Sequence, residues 1–149
     1  MAKQNDVKVW RVADLRDAEW LKGTYFQHAY PWHAHEEYSL GVVVDGAVSL
    51  TTRSREGVAK SGSFVLVNAE EAHQGSAASP LGWCCRTIHI SPHIVQNTVQ
   101  ELKRFRGASY VTFQGPTFDD PALAVALFQL HRRSEGEGTA LECQSMMFR

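Results

Sequence analysis

Two imidazoles and a carboxylate occupy alternate positions in His33-Ala34-His35-Glu36-Glu37-Tyr38. In an extended segment, alternate side chains share one face, so His33, His35 and Glu37 would line up together. Two nitrogens and one oxygen so placed suit a divalent cation such as zinc, nickel, iron or manganese, and the spacing does not select among them. A further donor must come from a distant segment. His73 is the candidate, since it follows the apolar run Phe64–Val67 and a short polar loop. Ordinary surface polarity accounts for the same residue types and stays open beside the metal site.

Tyr30 and Trp32 flank the first histidine and Tyr38 follows the segment. Aromatic walls around a few polar groups are how small-molecule sites are built, so these three are candidate pocket residues. Plain core packing is the alternative for each. Further along, Cys85, Thr87 and His89 would share one strand face, with Cys84, Arg86, Ile88 and Ile90 on the other. Thr87 and His89 join the pocket candidates if the first of these faces turns inward. His28 and His131 read as structural or exposed. There is no glycine-rich phosphate loop, nucleophile elbow or Cys-x-x-Cys pair, and no catalytic residue is assigned.

The elements that must carry these residues are mostly strands. Val7–Val12, Gly23–His28, Phe64–Val67, Ala72–Ala77 and Gly82–Ile90 read as strands. Tyr38–Val44 and Ala47–Thr52 read as a hairpin turning at Asp45-Gly46. The last third changes character. Ser91-Pro92 opens a helix, and Tyr110–Phe113 resembles a strand. Asp119 or Asp120 caps a second helix with Leu123, Leu127 and Leu130 along one face. A glycine-rich turn follows over Glu135–Gly138. Thr139 with Glu142 forms a capping box for a third helix, still running when the chain stops at Arg149. That ending is expected of a domain excised from a longer protein.

The chain has 149 residues, enough for one domain with a core of its own. Lys+Arg is 15 against Asp+Glu 16, a net charge of -1, and no basic face is visible to grip nucleic acid. No apolar run reaches the roughly eighteen residues of a membrane span, and MAKQND does not begin a signal peptide. Three cysteines, two of them adjacent, make no disulfide framework. A cytoplasmic location is expected, with Cys84 and Cys85 in separate environments.

Roughly residues 20 to 149 resemble the N-terminal effector-binding and dimerisation domain of AraC-type bacterial transcriptional regulators, which is a cupin. The resemblance rests on four elements in order. These are His33-x-His35-x-Glu37-Tyr38 with Gly46 beyond it, Gly62-Ser63-Phe64-Val65-Leu66-Val67 with His73 beyond it, the strand ending in Ile90-Ser91-Pro92, and the acid-proline cap and leucine-rich helix of Phe118–Leu130. It implies a mainly β fold, a double-stranded β-helix (jelly-roll) barrel followed by two or three C-terminal helices. Residues 1–19 would form an arm or first strand, 20–90 the barrel, and 91–149 a helical dimerisation region with one late strand. A DNA-binding helix-turn-helix domain would lie beyond the end.

The function so implied is sensing. A small effector binds inside the barrel, the chain forms a homodimer through Leu123, Leu127 and Leu130, and DNA is read only by the further domain. Packing of those leucines onto their own barrel is the alternative. A metal-dependent cupin enzyme, an oxygenase or isomerase using His33, His35, Glu37 and His73, is the second functional expectation. A barrel braced by a structural ion is the third. Sugar, aromatic acid and amine all stay open as effectors.

Overall fold

The computed structural model describes residues 4–13, 15, 17–27, 29–102 and 111–137. In chain order the strands are β1 (Asp6–Trp10), β2 (Ala18–Tyr25), β3 (Ala29–His33), β4 (Tyr38–Thr52), β5 (Glu56–Lys60), β6 (Phe64–Val67), β7 (His73–Ala77) and β8 (Trp83–Ile90). Helix α1 (Pro92–Glu101), the two-residue β9 (Thr117–Phe118) and helix α2 (Pro121–Arg132) follow, and α2 runs into a π-type turn over Arg133–Glu137.

β4 organises the whole. The hairpin expected at Asp45-Gly46 does not form; the strand continues through those residues for 15 in all. Its first half pairs with β6 and β8, and its second half with β5 and β7. A register shift between Val43 and Asp45 marks the bend where the strand passes from one set of partners to the other. Gly46 sits there at φ +75, and a Cβ on it would lie 2.0 Å from the carbonyl oxygen of Gly82. The Asp-Gly pair thus serves a bulge in a long strand rather than a turn between two short ones.

The expectation of a closed barrel is overturned. The nine-stranded sheet runs β1-β2-β8-β4-β6-β9, with β3, β7 and β5 branching through the second half of β4. Among the described residues β1 pairs only with β2, β9 only with β6, β3 only with β7 and β5 only with β4. Closure requires a ladder joining the edges, and here each set of strands ends in an edge. Among the described residues the domain is mixed β/α, a large open sheet with two C-terminal helices. Its bend still lays the β3-β7-β4-β5 part over the β2-β8-β4-β6 part, which leaves a cavity between them.

Strand alternation then decides what each residue meets. Trp20, Val42, Phe64 and Ile88 point away from the cavity and pack with Ala124, Leu127 and Leu130 of α2 in the larger core cluster. Tyr25, Val43, Val48, Ala59 and Trp83 form a second cluster on the cavity side. Asp120 caps α2 by accepting from the Leu123 N–H, with Pro121 next. Leu127 and Leu130 are therefore buried within their own chain, at 7% and 5% exposure, while Leu123 is 51% exposed. The late strand is Thr117–Phe118, antiparallel to β6, and residues 111–113 are not strand. Tyr110 and the third helix after Thr139 lie outside the described residues. Among those residues no helix is long and apolar enough to cross a membrane.

Candidate functional site

His33 ends β3 and His73 begins β7, and the antiparallel register places them opposite each other. His35 follows two residues past β3, in the connection to β4. The ring centroids of His33 and His73 are 4.2 Å apart, those of His35 and His73 5.0 Å, and those of His33 and His35 6.0 Å. One ligating nitrogen from each of the three rings lies within 4.8 Å of the others. His73 is buried, His35 half-buried and His33 exposed, so the cluster reaches from the interior to the rim.

The three rings share one hydrogen-bonding arrangement. His33 Nδ1 donates to the Pro31 carbonyl at 2.8 Å, His35 Nδ1 to the Glu37 carbonyl at 2.9 Å, and His73 Nδ1 to the Glu71 carbonyl at 2.9 Å. A carbonyl only accepts, so each Nδ1 carries a proton, and in the neutral tautomer the lone pair lies on Nε2. Pinning the distal N–H on a backbone carbonyl is how metal-binding histidines are oriented. The donor set fits a divalent ion: three imidazole nitrogens that could hold it, at one end of a cavity.

Burial pushes the His73 imidazole down to about 4, with the neighbouring rings of His33, His35 and His89 adding to it against the Glu71 hydrogen bond. The ring is neutral near pH 7 and offers its lone pair. The loop that delivers it is tied to the first histidine segment, since the Glu70 N–H donates to the His35 carbonyl at 2.7 Å. Glu70 itself holds a positive φ of 62, a conformation a non-glycine residue keeps only when its surroundings impose it.

The cavity beside the cluster has a volume of about 210 Å³. One end is imidazole: His33, His35 and His73, with His89 stacked on His35 at 5.0 Å. Burial lowers the His89 imidazole below its ordinary range, and Glu19 and Glu37 partly oppose this. The other end is aromatic. Tyr25 stacks on Trp83 at 4.7 Å and meets Tyr30 edge-on at 5.3 Å. Aliphatic side chains, among them Leu21, Leu50 and Val65, form the walls between. Cys85 lines the cavity with its thiol pushed up to about 11 by burial, while Cys84, one position along, meets Thr24 instead.

Of the residues singled out in the sequence, His33, His35, His73, Tyr30, Thr87 and His89 all line this cavity. Three others do not. Two bends at Glu36 and Glu37 end the alternation after His35, and Glu37 is not among the three residues whose ligand atoms converge. A register shift between Tyr30 and His33 turns both of them inward although they are three apart, and it leaves Trp32 facing solvent at 49% exposure. Tyr38 shares the face of Leu40 and Val42, away from the cavity; its hydroxyl donates to the Val111 carbonyl and its ring meets Phe113. Tyr25, Ser39, Leu50, Gly75 and Trp83 line the cavity without having been named as pocket residues. The parity of Cys85, Thr87 and His89 extends to Trp83, which is the signal that could have found it.

Comparison with known proteins follows the same lines. A family model described as the AraC-like ligand binding domain matches residues 19–149. Among solved structures, the AraC-like transcriptional activator CuxR superposes with a TM-score of 0.69 at 12% identity, covering 95% of this chain and 51% of CuxR. The chain thus spans about half the length of that protein. The cupin domain of Cnp3 from Schizosaccharomyces pombe gives 0.55 at 7% identity, over 66% of this chain and 73% of the other. A cupin superfamily protein from Desulfitobacterium hafniense DCB-2 gives 0.50 at 12% identity, over 61% and 83%. At these identities the likeness is one of fold, and the fold is that of a cupin domain. No match was found among curated protein sequences.

Proposed function

The chain belongs to the AraC-like ligand binding domain family, and from that premise we propose that it is the effector-sensing and dimerisation half of a bacterial transcriptional regulator. The observation that carries the proposal is a largely apolar cavity with one polar end, reaching the surface at His33, inside a domain of this family. A small effector in that cavity would touch β2, β3, β4, β7 and β8 together. By binding one arrangement of these strands better than another, it would shift the population of the domain and reposition a DNA-binding half carried elsewhere in the full-length protein.

A divalent ion held by His33, His35 and His73 supports the same role by giving the effector a charged anchor. Three nitrogen donors suit zinc, nickel or iron. The same three histidines at the end of the cavity favour a second reading, a metal-dependent cupin enzyme of the oxygenase or isomerase class.

Metal content after purification without added ions, read together with sedimentation, separates the two. The sensor reading expects a dimer that survives His73→Ala and has no turnover of its own. A stoichiometric redox metal together with an activity abolished in His73→Ala would transfer the assignment to the enzyme. A monomer at every concentration whose cavity takes no small molecule would remove the sensor.

A further inference from the structure

Resting on the proposal that the cavity is an effector site, we infer what it accepts: a single aromatic ring bearing two adjacent hydroxyls, a catechol-class molecule. The ring lies toward Tyr30 and Trp83 and the oxygens toward His33, His35 and His73.

Size sets the first limit. A cavity of about 150 Å³ takes one benzene ring, and a water-sized group needs about 30 Å³. The volume here, about 210 Å³, matches one ring and two such substituents. Gly75 lies on this cavity wall. A Cβ there would meet Leu50 Cδ1 at 3.7 Å and Tyr30 Cδ2 at 3.9 Å, ordinary contact distances. Neither strain nor a clash demands glycine at that position, and its hydrogen keeps space open between the two ends of the cavity.

Polarity sets the second limit. No lysine, arginine, aspartate or glutamate is among the described residues that line the cavity. The aromatic end is already satisfied, because the Tyr25 and Tyr30 hydroxyls hydrogen-bond to each other. The imidazole end presents acceptors, since all three Nδ1 protons are committed to backbone carbonyls. It therefore calls for donors or for a cation. Two adjacent hydroxyls satisfy it directly, by donating to Nε2 lone pairs, and the same two oxygens are the pair a bound ion would take.

Other one-ring classes fit less well. In the metal-free cavity an aromatic carboxylate would set acceptor against acceptor, with no lysine or arginine among the described lining residues to receive its charge. A sugar ring carries hydroxyls around its whole edge, and those facing Leu21, Leu50 and Val65 would be buried without partners. Each such loss costs about 1–3 kcal/mol.

The test uses catechol, phenol, benzoate and glucose as probes, titrated calorimetrically into the chain both metal-free and loaded with zinc. Catechol should bind about tenfold or more tightly than phenol, the difference being the second hydroxyl. Gly75→Val, which adds bulk to the cavity without touching a histidine, should weaken catechol about tenfold or more while zinc uptake is unchanged. Catechol binding no tighter than phenol, or undiminished by Gly75→Val, overturns the inference. Benzoate or glucose binding in catechol's place, and sensitive to Gly75→Val, overturns it while the effector cavity stands. Failure of every probe, with no uptake of zinc, overturns the inference and counts against the cavity as a site.

Discussion

Arg86 Nη1 lies 3.1 Å from His131 Nδ1 in the layer between the sheet and α2. A guanidinium only donates, so this contact fixes Nδ1 of His131 as an acceptor and leaves Nε2 as the donor. That N–H reaches the Thr87 carbonyl at 3.0 Å. Thr87 is a cavity residue, so one imidazole ties the cavity wall on β8 to helix α2. The same Arg86 Nη1 donates to Glu135 Oε2 at 2.9 Å, and Lys8 of β1 reaches the other oxygen of that carboxylate at 3.2 Å. Trp10 and Trp20 close over the imidazole edge-on at 5.0 and 5.5 Å. Strand β1, the cavity strand β8 and helix α2 thus meet at a histidine with no exposed surface.

Replacing that ring removes two hydrogen bonds and leaves Arg86 buried with fewer partners. His131→Leu fills a similar volume, so the loss is polar. It should destabilise the domain by about 2–4 kcal/mol, read as a shift of the urea midpoint at unchanged m-value.

The same site makes stability depend on pH. Burial pushes His131 down to about 4 and the Arg86 charge adds to this, while the Thr87 and Leu21 carbonyls oppose it. Unfolded, the ring returns to an ordinary value near 6.5. As pH falls from about 6.5 toward 4 the unfolded chain takes up a proton that the folded chain refuses, so stability falls through that window and levels below it. The loss is about 3 kcal/mol for this group. His73, also lowered to about 4, acts in the same direction. Urea unfolding between pH 4 and 7 should show stability rising with pH, with a visibly smaller slope in His131→Leu.

How far the sequence revealed this arrangement depended on backbone regularity. On β8 the alternation is unbroken, and Thr87 and His89 reach the cavity as their parity requires. His33, His35 and His73 meet because His33 and His73 sit at the ends of paired strands. Trp32, Glu37 and the Asp45-Gly46 hairpin were misplaced where a bulge or a bend shifts the period by one residue, and single-chain patterning carries no mark of such a shift. Whether the sheet closes depends on pairing between edges far apart in sequence, which periodicity does not encode. His131 read as structural or exposed; its burial follows from α2 packing on β8, a tertiary relation.

The bend in β4 offers a sharp check on that geometry. Gly46→Ala would place a methyl group 2.0 Å from the Gly82 carbonyl oxygen, at a φ that alanine disfavours. Backbone stands on the other side of the contact, so no side chain can swing away. The variant should lose about 3 kcal/mol or more, or fail to accumulate as folded protein, whereas Gly75→Ala should fold normally. Circular dichroism melts of the two variants against the parent decide it.

The leucine stripe of α2 divides in two, and the halves should respond differently. Leu127 and Leu130 are buried against the sheet of the same chain, so Leu127→Ala should cost about 2–5 kcal/mol of stability through the cavity it leaves. Leu123 is half-exposed and lines an apolar groove of about 790 Å³ together with Phe118, itself 49% exposed. On the proposed sensor reading, a second copy of the chain would cover this groove. Leu123→Glu should then leave the melting temperature of the monomer unchanged while moving the sedimentation profile from dimer toward monomer. If Leu123→Glu leaves the dimer intact, the contact between protomers lies on another face and the α2 stripe serves its own chain alone.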